Sequence, residues 1–202
     1  MKFRNEILES SLSRIYSQSK KHDSGTISAF RSAKNCNTGE VFTKSENKQN
    51  SRTLNAKLLK MGYGVTKIDG TYIENYKTSD EKEVKEESYI VVDIKDKGTL
   101  KKDLIKLGVL FEQDSITFQE KDGDYYLISS NTCEKGYPGS GKVGVEVKLG
   151  KPIYGKSGEF HSKVNGRPFI FETVLENFEV LTEKSISEIR SADAFSKFDI
   201  IK

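Results

Sequence analysis

Thr43-Lys44-Ser45-Glu46 opens the segment that most constrains the fold. A threonine followed three residues later by a glutamate has capping-box spacing, in which each side chain can satisfy a backbone N–H of the other residue. Leu54, Leu58 and Leu59 then recur at helical spacing, and Gly62 stands where a positive φ is wanted to end a helix. The pattern predicts a helix from Thr43 to about Met61 with one leucine face to bury. Ser88-Tyr89-Ile90-Val91-Val92-Asp93-Ile94 supplies the partner layer, a continuous β-branched run expected as a central strand.

Other elements are read around these two. Residues 3–20 carry Phe3, Ile7, Leu8, Leu12, Ile15 and Tyr16 at spacings of three and four, which predicts an amphipathic helix. Thr26 to Phe30 is expected as a short strand leading into Arg31, and residues 32–42 as a loop. Tyr63 to Glu74 alternates in the β manner, with Asp69-Gly70 expected as a hairpin turn. Residues 75–87 are so charged that a solvated loop is expected. Thr99 is placed to cap a helix closed by Gly108. Strands are then expected at Ser115 to Gln119 and Tyr125 to Ser129, around a Lys121-to-Asp124 turn.

Gly136 to Gly158 is punctuated by glycine, with β-like pieces at Val143 to Val147 and Phe169 to Phe171; Ser185 is expected to start a last helix. The order β, α, β, β, α, β, β predicts an α+β fold in a single domain over 1–202. Its sheet is expected to be mixed and mostly antiparallel, with helices packed on it. The N-terminal helix (3–20), an α/β core (about 26–130) and an irregular β-rich segment with a terminal helix (131–202) are its parts.

Composition excludes more than it selects. Lys and Arg number 33 against 30 Asp and Glu, a net charge of +3, which gives no strong nucleic-acid signal. No apolar run reaches the roughly 18 residues of a membrane span, so a cytoplasmic protein is expected, in host cytoplasm if phage-encoded. Cys36 and Cys133 are too few for a disulfide scaffold. With only His22 and His161 besides them, and no ligand spacing among the four, no metal is expected. No cofactor is expected either. Gly136-Tyr137-Pro138-Gly139-Ser140-Gly141-Lys142 fits the first seven positions of a phosphate-binding loop, but Val143 stands where a hydroxyl should reach magnesium. The residues after it alternate like a strand, whereas a phosphate loop opens into a helix.

The more informative signal is polar residues at the ends of predicted core elements. Arg31 ends the first strand, Asn50 and Arg52 lie near the apolar stripe of the capped helix, and Glu74 and Glu87 flank the charged stretch. Gln113 and Asp114 open a later strand. Ligands collect at strand ends, where side chains and loops converge, and an arginine facing carboxylates and amides suits a phosphate, a ribose or a base edge. Arg31, Glu74, Glu87, Gln113 and Asp114 are therefore expected together at one sheet edge, with Arg31 as the anion-holding group.

Ile27-Ser28-Ala29-Phe30-Arg31, Asn47 through Arg52 leading into the leucine helix, Gly70 and Glu74, Glu87 to Val92, and Phe111 to Ile116 also follow one another in an order that carries a resemblance. Over about residues 26–130 the chain resembles an uncharacterised domain-of-unknown-function family of bacteria and bacteriophages. The resemblance implies a shared fold and a mobile-element origin, and it implies no activity.

The expected function is that of a small phage-type accessory protein that binds a nucleotide-like small molecule or a host protein, as a counter-defence or host-takeover factor. Two alternatives stand beside it. One is an enzyme acting on a nucleotide or nucleic-acid phosphate, with Glu74, Glu87 or Asp114 as acid or base. The other is a virion or assembly protein. Oligomeric state is left open.

Overall fold

The computed structural model describes residues 14–31, 38–74, 79, 82–132, 141–154, 160–164 and 167–171. Helix α1 is described over residues 14–19. Strand β1 (Ser24–Ser28) precedes helix α2 (Lys44–Lys60), which is followed by β2 (Gly64–Glu74), β3 (Lys82–Val92) and helix α3 (Leu100–Leu110). Strands β4 (Ser115–Gln119), β5 (Tyr125–Ser129), β6 (Glu146–Gly150), β7 (Pro152–Tyr154), β8 (Phe160–Val164) and β9 (Arg167–Phe171) complete the described elements. They form one sheet in the order β6-β5-β4-β1-β3-β2-β8-β9-β7. The α+β class is as expected, but every described strand pair is antiparallel rather than mixed.

The capped helix forms as the sequence directs, except that Leu59, expected on the leucine face to be buried, is exposed. Thr43 Oγ1 accepts from the Glu46 N–H at 3.2 Å, and the Glu46 carboxylate accepts from the Thr43 N–H at 2.7 Å. The Thr43 N–H and hydroxyl, both donating to that carboxylate, hold the Glu46 carboxyl below its ordinary value. At the other end Gly62 has φ +81°. Leu54 and Leu58 of α2 and Leu100 and Leu104 of α3 are fully buried over Ile27, Tyr89, Val91, Ile116 and Phe118. Both helices thus cover one face of the sheet. On the other, Ile68, Ile90 and Val92 cluster with Ile15 of α1, and Tyr125, Leu127, Val147 and Leu149 form a further group.

Other expectations need correction. Thr99 stands before α3, but its side chain makes no capping bond and donates instead to the Asp103 carboxylate at 2.9 Å. The chain does not turn at Asp69-Gly70: β2 runs straight through, because Asp69 and Gly70 pair with Glu87 and Glu86 of β3 on one side and with Lys163 and Ser162 of β8 on the other. The charged stretch is not wholly a loop, since residues 82–87 belong to β3. A ribbon paired along its whole length satisfies its backbone without needing apolar side chains. Gly108 does not stop α3, which continues to Leu110. It is there because α3 crosses the end of β5 closely, and a Cβ would stand 2.6 Å from Ser130 Cβ. The helix ends instead at Phe111, with Glu112 in the left-handed region at φ +56°.

The segment after Lys142 enters strand β6 and not the helix that a phosphate loop would open into. Residues 3–13 of the first predicted helix, most of the glycine-rich loop and the helix expected from Ser185 lie outside the described residues. No described helix is long and apolar enough to cross a membrane.

Candidate functional site

Strand alternation divides the predicted residues between two places. On the face under α2, Val65 and Lys67 of β2 and Glu87 and Tyr89 of β3 form a floor. Lys48, Arg52, Asn55 and Leu59 stand above it at steps of four, three and four along α2, one helical stripe. Between them lies a cleft of about 460 Å³, within the usual size of a small-molecule site.

Glu87 is the carboxylate of that lining and is held from both sides. Lys67 Nζ donates to Oε2 at 2.5 Å, and the Tyr89 hydroxyl lies 2.5 Å from Oε1 and 3.1 Å from the Ser51 carbonyl. Burial would raise the Glu87 carboxyl, but the bonds from Lys67 and Tyr89, with the charges of Lys67 and Arg52, hold it below its ordinary value. Burial and the neighbouring carboxylate push the Tyr89 phenol up. The cleft therefore keeps one fixed anion. Lys48 and Arg52 make no ion pair with any described residue, so two cationic groups remain for a ligand.

The second place is the end of β1 and the start of β4. Arg31 is 7% exposed, and its guanidinium donates from NH1 and NH2 to Asp114 Oδ1, both at 3.2 Å. NH1 also donates to the Glu112 carbonyl and Asn131 Nδ2 to Asp114 Oδ1. Asn47 of α2 clamps the Arg31 backbone, accepting from its N–H at 2.7 Å and donating to its carbonyl at 3.0 Å. Glu86, half-buried nearby, has its carboxyl pushed up to about 7 by burial and by the Asp114 charge, with Arg31 opposing.

Of the residues expected at one sheet edge, Arg31 and Asp114 come together. Gln113 is buried beside them, but its side chain turns back to donate to the Phe111 carbonyl at 2.9 Å. Arg52 and Glu87 meet in the cleft instead. Asn50 is half-buried on α2 outside the cleft lining. Glu74 pairs in register with Lys82 at the far end of β2, and its side chain is not among those described. Lys48, Asn55, Lys67, Tyr89 and Glu86 were not singled out from the sequence. The stripe Lys48–Arg52–Asn55–Leu59 was there to be found, since it runs parallel to the leucine face. Among the described residues no group of three or more His, Cys, Asp or Glu could hold a metal.

The model of the S-adenosylmethionine lyase family matches residues 25–151, a span that holds both cleft walls and the Arg31 cluster. No curated protein and no solved structure shows a significant match to the chain. The matched span takes in the 26–130 region of the earlier resemblance, but the family is one described by an activity rather than an uncharacterised one. That finding overturns the expectation of a ligand-sequestering or host-protein-binding accessory factor and favours the enzyme alternative. Because the match covers well over half of the chain, the protein belongs to the S-adenosylmethionine lyase family.

Proposed function

We propose that this chain cleaves S-adenosylmethionine, and that it does so in the cleft beneath α2. The family match over residues 25–151 carries the activity. The substrate has no phosphate, so the phosphate chemistry expected of an enzyme is not part of this reading. Its amino-acid arm ends in one ammonium and one carboxylate, its sulfur is a cation, and its adenine is a flat, largely apolar ring. Glu87 suits the ammonium, Arg52 and Lys48 suit the carboxylate, and Leu59 and Val65 offer the ring an apolar wall.

A lyase breaks the carbon–sulfur bond without water. The bonding pair leaves with sulfur, which becomes a neutral thioether, and electrons from within the substrate must replace it at carbon. Two sources exist: loss of a neighbouring C–H proton to a base, or closure of the substrate's own carboxylate onto the carbon as a five-membered lactone. Glu87 is a poor base for the first route, because Lys67 and Tyr89 already stabilise its charge. Closure needs no base, so the protein's share is to hold the arm folded with its carboxylate behind the carbon–sulfur bond. Incubating the purified chain with S-adenosylmethionine and separating the products tests this. The expected products are 5′-methylthioadenosine and homoserine lactone; intact substrate after prolonged incubation at high enzyme concentration would refute the activity, and an unsaturated amino acid would refute the closure route.

A further inference from the structure

The reaction as derived gives Asn55 no task, although it stands inside the cleft. It lies on α2 between Arg52 and Leu59, half-buried, and its side-chain amide meets no hydrogen-bond partner among the described residues. An amide carries two donor hydrogens and an accepting oxygen, and none of the three is spent on a described residue here. Its surroundings change across one helical turn. Arg52 lies towards the charged end of the stripe, whereas Leu59 is apolar yet 55% exposed, with Val65 of β2 in the same lining. An exposed leucine beside an unused amide offers a ring both a face to lie on and an edge to bond. Adenine presents an amino donor next to a ring-nitrogen acceptor, the pattern that an asparagine amide matches with two hydrogen bonds.

We propose that Asn55 is the residue that selects the adenine base, its amide pairing with the 6-amino group and the adjacent ring nitrogen. This rests on the reading that the cleft holds S-adenosylmethionine, and it adds the determinant of base specificity. Lys48 and Lys67 cannot take that role: both only donate, and the amino group needs an acceptor. Glu87 accepts only, and the ring nitrogen beside the amino group needs a donor.

The test is calorimetric titration of the full chain with 5′-methylthioadenosine and with the analogue whose 6-amino group is replaced by hydrogen, while cleavage of S-adenosylmethionine is followed in parallel. The parent chain is expected to prefer the adenine compound by roughly tenfold or more. Asn55→Ala and Asn55→Leu should erase that preference by weakening the adenine compound alone. Leucine is a better helix former than asparagine and of similar size, so a folding defect will not imitate the result. Variants that keep the parental preference overturn the inference while leaving the cleavage reading intact. A parent chain that shows the Asn55-dependent preference without cleaving S-adenosylmethionine upholds the inference and refutes the activity. If neither compound binds the parent chain, the inference and the placement in the cleft fall together.

Discussion

Glu86 and Glu87 are neighbours in β3, yet alternation turns them to opposite faces of the sheet. Glu87 faces α2, where two hydrogen bonds keep its carboxyl below its ordinary value. Glu86 faces away, where burial and Asp114 push its carboxyl up to about 7. The two clusters around them differ in the same sense. At the strand end, Arg31 is buried and its guanidinium is spent on Asp114 and the Glu112 carbonyl. In the cleft, Arg52 is exposed and makes no ion pair with a described residue. An arginine that holds a strained turn in place is part of the scaffold; one left over a cleft is available to a ligand. Residue type alone did not separate them.

The largest contrast is between the two arginines. Arg31→Ala should cost about 3–5 kcal/mol, since it leaves Asp114 without its main partner and frees the left-handed turn at Glu112. Arg52→Ala should change stability by less than about 0.5 kcal/mol, as an exposed substitution does. Chemical denaturation of both variants measures this. Equal losses would erase the distinction between scaffold and site.

Glu87→Gln keeps the shape of the side chain and removes its charge. It should lower kcat/KM for S-adenosylmethionine by roughly 10- to 100-fold, the worth of one charged hydrogen bond. Steady-state kinetics over neutral pH reads it, and an unchanged kcat/KM would remove Glu87 from the site.

A smaller effect should come from Glu86. Its carboxyl takes up a proton more readily in the folded chain than in the unfolded one. Between about pH 4.5 and 7 the folded state therefore binds more protons, and stability falls as pH rises through about 7. The slope from one proton cannot exceed about 1.4 kcal/mol per pH unit, and solvent reaching a half-buried carboxyl reduces it. Melting curves from pH 5 to 8 should show this decline in the parent chain and lose part of it in Glu86→Gln. Identical profiles would mean that Glu86 ionises as freely in the fold as outside it.

How much of this the sequence disclosed depended on whether the cause was local. The capping box at Thr43, the Gly62 stop and the strands from Ser115 and Tyr125 rest on short-range spacing, and all stand where expected. The Asp69-Gly70 turn and the Gly108 stop failed because distant elements decide them: β8 pairs across the first, and Ser130 packs against the second. The site was legible in its residue types and not in its grouping. Arg52 and Glu87 were singled out, but their meeting depends on the crossing of α2 over β3. Arg31 and Asp114 were also singled out, but burial was what turned the pair from a ligand group into a brace.

On the proposed reading the ligand lies under α2 and not at the strand end. Titrating isotopically labelled protein with 5′-methylthioadenosine and following backbone amide shifts by NMR tests it most directly. The largest shifts are expected along Lys48, Arg52, Asn55 and Leu59 and on the facing residues Val65, Lys67, Glu87 and Tyr89. Shifts centred on Arg31, Glu86, Asp114 and Asn131 would contradict it and move the site to the other face of β3.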